Sequence, residues 1–170
     1  MKIGIISDTH KKVKKTKKAL EHLLENGAEF IIHAGDIVEI EILEMLKNSL
    51  VDYLAVYGNN DAHLMEYHEN YNLVQEPYYF NLAGLKFKLM HLPFYMAPDA
   101  DVIVFGHTHV FQTEMNNGKL FLNSGEVCAR SKPISEWAML DISKEKFLVT
   151  HYTRENKSDN INTKEYIYER

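Results

Sequence analysis

The sequence predicts a single α/β domain in which two β-sheets pack against each other. Strand and helix patterns alternate over residues 1–57, an order typical of a parallel sheet built by right-handed crossovers. After Tyr71 the pattern changes to strands joined by short turns, which predicts antiparallel hairpins. The segments together give more strands than one small sheet holds, so we expect two packed sheets.

The first half of the chain predicts three parallel strands and two amphipathic helices. Short apolar runs mark the strands, because a strand that is buried on both faces has no polar side. Apolar residues recur at helical spacing between these runs, and Asn26-Gly27 is a stop signal for the first helix. A short helix is expected between Asp61 and Asn70. The predicted strands are 3–6, 30–33 and 53–57, and the helices carry the apolar residues Val13, Leu20, Leu23 and Leu24 and then Ile42, Leu43, Leu46 and Leu50.

The second half predicts two hairpins and three further strands. Ala83-Gly84 is expected to turn strand 78–82 into strand 85–89, and Asn116-Asn117-Gly118 to join strands 110–115 and 119–122. Residues 102–105, 137–141 and 147–152 supply the other strands. The expected domain is 1–153, followed by a polar tail over 154–170 to which the sequence assigns no structure.

Composition limits the classes of function. The chain has 170 residues and a net charge of -5, so it has no overall attraction for nucleic acid or an anionic membrane. Cys128 is the only cysteine, which excludes an intramolecular disulfide and a thiolate metal cluster. No apolar run approaches the length of a membrane span, and no apolar signal region follows Met1. We therefore expect a cytoplasmic protein.

Five apolar runs each end in residues that can bind a metal ion. A single histidine after a strand is usually structural, but here the pattern recurs along the chain. In parallel α/β sheets, ligands bind beyond the carboxyl ends of the strands, so these side chains are expected to converge at one edge. The candidate ligands are Asp8, His10, Asp36, Asn59, His91, His107 and His109.

The candidate ligands combine carboxylate, amide and imidazole groups. This set suits manganese, iron, zinc or nickel better than calcium or copper(I). Seven ligands are too many for one tetrahedral ion, so two ions that share a carboxylate fit better. Such a pair can clamp the attacking and leaving oxygens of a phosphoryl displacement, and it can lower the pKa of bound water to about 7.

The order of these motifs resembles that of the calcineurin-like metallophosphoesterases, most closely their small single-domain bacterial and archaeal phosphodiesterases. The motifs are Asp8-x-His10, Gly35-Asp36, Gly58-Asn59-x-Asp61, His91 and Gly106-His107-Thr108-His109. The resemblance extends to about Tyr152. It implies a four-layer α-β-β-α sandwich, in which two mixed sheets carry helices on both outer faces.

The resemblance also implies a role for each candidate ligand. Asp36 would bridge two divalent ions, most readily manganese, and a metal-activated water would attack a small phosphodiester substrate. The first ion would be held by Asp8, His10, Asp36 and His109, and the second by Asp36, Asn59, His91 and His107.

The sequence differs from the family pattern at three places, and these differences lead to further predictions. Asn60 stands where many members have a histidine that helps to protonate the leaving group, which favours activated diesters. Only fifteen residues separate His91 from His107, and they include Pro93 and Pro98, so one family helix is expected to be missing there. The site would then be more open on this side, and an exposed apolar segment would form a homodimer contact or a substrate wall. The run Asn123-Ser124-Gly125-Glu126 resembles a variant of a family turn.

Several residues near the motifs have open assignments. His33 is either a partner of the metal ligands or a buried strand histidine. Asp61 is expected to orient Asn59 or a ligand histidine rather than to bind metal. Arg130 either contacts a substrate phosphate or forms a surface contact. Six lysines within 11–18 surround much of a helix, so only some of them can face the site.

Two alternatives to a phosphodiesterase stay open at this point. The first is a catalytically weak scaffold or interaction protein of the same fold, which the complete set of ligand positions disfavours. The second is a nuclease or nucleotide phosphatase that uses the lysine-rich helix. The net charge of -5 argues against long nucleic acid, and a steep salt dependence of oligonucleotide binding would favour it.

Overall fold

The computed structural model describes residues 1–170 and contains two β-sheets, two α-helices and one 3-10 helix. No helix in it is both long and apolar enough to span a membrane. In chain order the elements are β1 (Lys2–Ile6), α1 (Val13–Glu25), β2 (Phe30–His33), α2 (Ile40–Lys47), β3 (Asp52–Val56), the 3-10 helix (Ala62–Asn70), β4 (Leu73–Val74), β5 (Tyr78–Leu82), β6 (Leu85–Leu89), β7 (Val102–Val104), β8 (Phe111–Asn116), β9 (Lys119–Ser124), β10 (Ile134–Ile142), β11 (Lys146–Glu155) and β12 (Asn162–Glu169).

The first sheet has seven strands in the order β12-β11-β10-β1-β2-β3-β4. Strands β1 to β4 are parallel, and Ile5 of β1 lies opposite Ile32 of β2, which in turn lies opposite Leu54 of β3. The remaining strands β10, β11 and β12 continue the sheet in antiparallel pairs. The predicted parallel half is confirmed, and it places the carboxyl ends of β1, β2 and β3 at one edge.

The second sheet has five strands in the order β5-β6-β7-β9-β8. Both predicted hairpins are present, and the central residues of each turn have positive φ values, as tight hairpin turns require. These residues are Ala83-Gly84 and Asn117-Gly118. Strand β7 is parallel to β6, so the carboxyl ends of β6 and β7 also lie together.

The hydrophobic core lies in two main layers. Between the sheets, side chains such as Ile5, Phe87 and Val104 are fully buried. On the outer face of the first sheet, the apolar faces of α1 and α2 cover residues such as Ile31 and Trp137. This arrangement confirms the predicted α/β class with two packed mixed sheets.

The outer face of the second sheet is covered by an irregular segment, residues 92–101, instead of a helix. Lys88 of β6 is buried beneath it and donates hydrogen bonds to the carbonyl oxygens of Tyr95 at 2.8 Å and Ala97 at 2.9 Å. The same ammonium group forms an ion pair with Asp99. One lysine thus satisfies carbonyl groups that a helix would have satisfied internally. The expected loss of a helix is confirmed. Helices cover only the outer face of the first sheet, so the fourth layer of the implied α-β-β-α sandwich is this irregular segment.

Part of the irregular segment is exposed, as expected. Phe94 is 73% exposed and Tyr95 49% exposed, whereas Met96 packs against the small apolar cluster beneath it. The segment therefore presents two aromatic side chains to solvent.

The last residues of the chain, which the sequence left without structure, form part of the first sheet. Strand β11 extends to Glu155, and β12 pairs with it along 162–169. Tyr166 and Tyr168 pack against the core between the sheets, whereas Lys164 and Glu165 are exposed. The polar composition of this segment is that of an edge strand with one solvated face.

Candidate metal centre

The predicted ligands lie at the carboxyl ends of β1, β2, β3, β6 and β7, where the two sheets share an edge. Five of the seven have left-handed backbone conformations, with φ between 45° and 67°. Such values are uncommon for residues other than glycine, and they cluster where side chains are aimed at a functional site. The five residues are Asp8, His10, Asp36, His107 and His109.

Four of the predicted ligands form a first group at the ends of β1, β2 and β7. Potential ligand atoms of Asp8, His10, Asp36 and His109 all lie within 4.8 Å of one another. His10 Nε2 is 3.6 Å from Asp36 Oδ2, and His109 Nε2 is 3.2 Å from Asp8 Oδ1. Asp8 Oδ1 and His10 Nε2 are buried without a hydrogen-bond partner. Because buried polar atoms are normally satisfied, these two atoms fit a bound cation.

The other three ligands form a second group around the Asn59 amide oxygen. Asn59 Oδ1 lies 3.0 Å from His91 Nε2 and 3.0 Å from His107 Nδ1. His91 Nε2 is also 3.5 Å from Asp36 Oδ1. Asp36 therefore faces both groups, with one carboxylate oxygen toward each, and all seven predicted residues meet in one cluster.

Two histidines are held in the tautomer that metal binding needs. His91 Nδ1 donates to the carbonyl oxygen of Ala34 at 2.8 Å, so the lone pair of Nε2 faces the cluster. His109 Nδ1 is hydrogen-bonded to the carboxylate of Glu126, which leaves Nε2 toward Asp8. Partners of this kind fix the orientation of metal-binding histidines.

Comparison with known proteins identifies the family. Residues 1–145 match the model of the calcineurin-like phosphoesterase superfamily domain. The chain belongs to this superfamily. A phosphodiesterase of Methanocaldococcus jannaschii is 31% identical over 160 residues, which cover 86% of this chain and 96% of the relative.

Solved structures agree with this assignment. The structure of an archaeal phosphodiesterase is 28% identical, with a TM-score of 0.76 and coverage of 99% of this chain and 100% of the other. Vacuolar protein sorting 29 of Cryptosporidium parvum has the same fold at 20% identity, with a TM-score of 0.79 and coverage of 99% and 98%. The predicted family, fold and class of enzyme, a metal-dependent phosphoesterase, are confirmed.

Glu126 is the main residue of the site that the sequence did not reveal. It is fully buried, and one of its oxygens accepts hydrogen bonds from the backbone N–H groups of Ser131 at 2.7 Å and Lys132 at 3.1 Å. Burial by itself would raise the pKa of Glu126, but hydrogen bonds from His109 and from these backbone groups outweigh it and lower the pKa. Glu126 is therefore a carboxylate that orients His109.

Asn60 contacts Asp36 directly. Its backbone N–H donates to Asp36 Oδ1 at 2.9 Å and its side-chain amide to Oδ2 at 2.7 Å. Burial would raise the pKa of Asp36, but the electrostatic effect of the nearby His91 ring and the two Asn60 hydrogen bonds outweigh it, so the pKa is lowered. Each Asp36 oxygen keeps a second lone pair free for a metal ion.

Burial is the largest influence on the pKa values of Asp8 and His10, two further residues of the first group. Burial raises the pKa of Asp8, although the 2.6 Å hydrogen bond from Ser7 opposes the shift. Burial also lowers the pKa of His10, which favours the neutral imidazole with a free lone pair.

Asp61 supports the backbone of the site rather than a ligand side chain. Its Oδ2 accepts from the N–H groups of Gly58 at 2.7 Å and Ile37 at 3.1 Å, and its Oδ1 accepts from Val38 at 2.8 Å. The expectation that it orients Asn59 or a histidine is therefore corrected. Asp61 instead ties the turn after β3 to the loop that carries Asp36. A Cβ atom at Gly58 would lie only 2.2 Å from Asp36 N, so only glycine fits at this contact.

His33 is a buried strand histidine that links two loops of the site. Its Nδ1 accepts from Gly35 N–H at 3.2 Å, so its Nε2 carries the proton and donates to Thr9 Oγ1 at 2.9 Å. It forms no hydrogen bond with a predicted ligand side chain. Complete burial lowers its pKa to about 3, so it is neutral at ordinary pH.

Asn123 supports the loop that carries His107 and His109. Its amide donates to the carbonyl oxygen of Gly106 at 2.9 Å and to Thr108 Oγ1 at 3.0 Å. A Cβ atom at Gly106 would lie 2.2 Å from Ser7 Oγ, so glycine is needed where the two sheets approach each other.

The six lysines of 11–18 differ in what they contact. Lys15 donates to the Cys128 carbonyl oxygen at 2.9 Å, and Lys18 pairs with Asp159 at 2.8 Å, so both bind other parts of the chain. Lys11 and Lys12 instead line a cleft beside the cluster, and Arg130 lines it with them. As expected, only part of the lysine cluster faces the site.

Replacement of His33 by glutamine should flatten the pH dependence of stability. The pKa of His33 is about 3 in the folded state, whereas an unfolded histidine titrates near 6.5. Between these values the unfolded state binds more protons, so stability is lost as the pH falls through 6.5. With a chelator present, the unfolding free energy should fall more steeply below pH 6 in the wild type than in His33→Gln. The difference in slope should be up to about 1.4 kcal/mol per pH unit. Equal slopes for His33→Gln, the wild type and the surface control His68→Gln would contradict this.

Glu126→Gln should weaken Mn²⁺ binding by roughly 10–100-fold, because the neutral amide cannot hold His109 and two backbone N–H groups as the carboxylate does. Titration calorimetry measures the affinity, and a melting curve without metal checks that the variant is folded. The exposed Glu114→Gln is the matched control. Unchanged affinity in folded Glu126→Gln would mean that His109 needs no such partner.

Proposed function

We propose that the protein hydrolyses phosphodiesters with two divalent transition-metal ions that share Asp36. The observation that carries the proposal is the position of this carboxylate between the two groups of ligands. One oxygen lies 3.6 Å from His10 Nε2, and the other lies 3.5 Å from His91 Nε2. The first ion would be held by Asp8, His10, Asp36 and His109, and the second by Asp36, Asn59, His91 and His107.

The donor set supports manganese, with iron, zinc or nickel as the other candidates. It contains carboxylate, amide and imidazole atoms, and these suit hard to borderline divalent ions. When bound, the ions would lower the pKa of water and stabilise the negative charge that builds up on the phosphoryl oxygens.

Backbone and side-chain groups around the candidate ligands prepare them for this role. Ala34 and Glu126 fix His91 and His109 with a lone pair toward the cluster, and Asn60 helps to keep Asp36 ionised. The Asn60 amide has no acidic proton, so it cannot act as the acid for a departing alkoxide. The site therefore favours diesters whose leaving group is stable as an anion.

The diester preference is supported by the relatives. The Methanocaldococcus jannaschii relative and the archaeal solved structure are both described as phosphodiesterases. The cations beside the cluster, Lys11, Lys12 and Arg130, also suit an anionic substrate.

An interaction role is the second candidate, and the irregular segment over the second sheet favours it. Phe94 and Tyr95 are exposed there by 73% and 49%. A homodimer contact or a substrate wall at this face stays a prediction. Turnover of a diester would separate the two candidates, because a scaffold without activity would leave the substrate intact.

The Mn²⁺-loaded protein should hydrolyse bis(p-nitrophenyl) phosphate faster than p-nitrophenyl phosphate. Asp36→Ala should abolish this turnover because both ions lose a ligand, whereas Asp61→Asn should reduce it by roughly 10–100-fold because it supports the loop only. Asp52→Ala, at the opposite end of β3, is the control. Equal losses in Asp36→Ala and Asp61→Asn, both shown to be folded, would mean that Asp36 has no special position.

A further inference from the structure

The cleft beside the cluster has a cationic lining. Its volume is about 490 Å³, within the range of small-molecule sites, and it shares His10 and Asn60 with the cluster. Its charged lining residues are Lys11, Lys12 and Arg130, and no carboxylate lines it. Substrate that extends from the metal cluster would enter this space.

These three cations have no carboxylate partner within the protein. By contrast, Lys17, Lys18 and Lys132 each form an ion pair with a nearby acid. Because the whole chain has a net charge of -5, the positive potential of the cleft is local. Such a cleft attracts anionic ligands, whereas the net negative charge of the whole protein repels them.

Hydrogen bonds of the backbone hold the two segments that carry Lys12 and Arg130. Lys12 is the N-cap of α1, and its carbonyl oxygen accepts from Thr16 N–H at 3.0 Å. Cations at a helix N-terminus oppose the helix dipole, so stability of α1 does not account for this lysine. Arg130 lines the cleft from a different part of the chain, in a turn that hydrogen bonds to Glu126 hold in place through Ser131 and Lys132.

We propose that this cleft binds a second phosphate of the substrate, and that the protein acts on phosphodiesters that carry an additional phosphate group and a leaving group that is stable as an anion. The planar fork of an arginine and the ammonium groups of two lysines are the groups that bind phosphate in proteins. The inference rests on the proposed function, because the scissile phosphate is placed at the metal cluster. Lys11, Lys12 and Arg130 would then determine specificity.

The kinetic test compares two substrates that differ by one phosphate. The Mn²⁺-loaded protein should release p-nitrophenolate from thymidine 3′-phosphate 5′-(p-nitrophenyl phosphate) with a kcat/KM about tenfold or more above that of thymidine 5′-(p-nitrophenyl phosphate), mainly through a lower KM. In the double variant Lys12→Met/Arg130→Met this ratio should fall toward one. Lys14→Met, an exposed lysine of the same helix that lies outside the cleft, should keep the ratio. Equal kcat/KM values for the two substrates in the wild type, or a ratio that survives in the double variant, would overturn the proposal.

A binding test separates this inference from the proposed function. Calorimetry on the Mn²⁺-loaded protein should give about tenfold or more tighter binding of adenosine 3′,5′-bisphosphate than of adenosine 5′-monophosphate, and the double variant should lose the difference. If no diester, including bis(p-nitrophenyl) phosphate, is hydrolysed but this difference is seen, the phosphate site stands and the hydrolytic function fails. Equal affinities for the two ligands would refute the phosphate site, whatever the activity.

Discussion

The site depends on the contact between Asp36, at the end of β2 in the first sheet, and His91, at the end of β6 in the second. This contact requires the carboxyl edges of both sheets to coincide. The core between the sheets sets that alignment, since Ile5 and Ile32 from one sheet pack with Phe87 and Val104 from the other. The fold thus brings residues separated by up to a hundred positions to within hydrogen-bonding range.

The arrangement has an energetic cost in the backbone. Left-handed conformations at residues other than glycine typically cost about 1–3 kcal/mol each, and five of the predicted ligands adopt them. Three buried polar side chains hold these loops. Asp61 fixes the loop of Asp36, Asn123 fixes the loop of His107, and Glu126 fixes His109 itself. These buried side-chain hydrogen bonds therefore help to hold the strained loops of the candidate metal centre in place.

That the candidate ligands meet could be predicted from the sequence, because each one follows an apolar run and parallel strands bring such positions to one edge. The supporting residues could not. Glu126 lies 17 residues from His109 in the sequence, so no local pattern links the two residues. The Asn, Ser and Gly residues before Glu126 predict only a turn. Strand β12 was missed because its polar face outweighs the tyrosines that pack inward. The role of Asp61 was misassigned because its partners are backbone N–H groups, which leave no pattern in the sequence.

Anomalous scattering tests whether Asp36 joins two metal sites. Crystals grown with Mn²⁺ should show two anomalous peaks at the edge shared by the sheets, about 3.5–4 Å apart, with one Asp36 oxygen toward each. The first peak should lie among Asp8, His10 and His109, and the second among Asn59, His91 and His107. A single peak, or none with millimolar Mn²⁺ present, would mean that Asp36 does not bridge two ions.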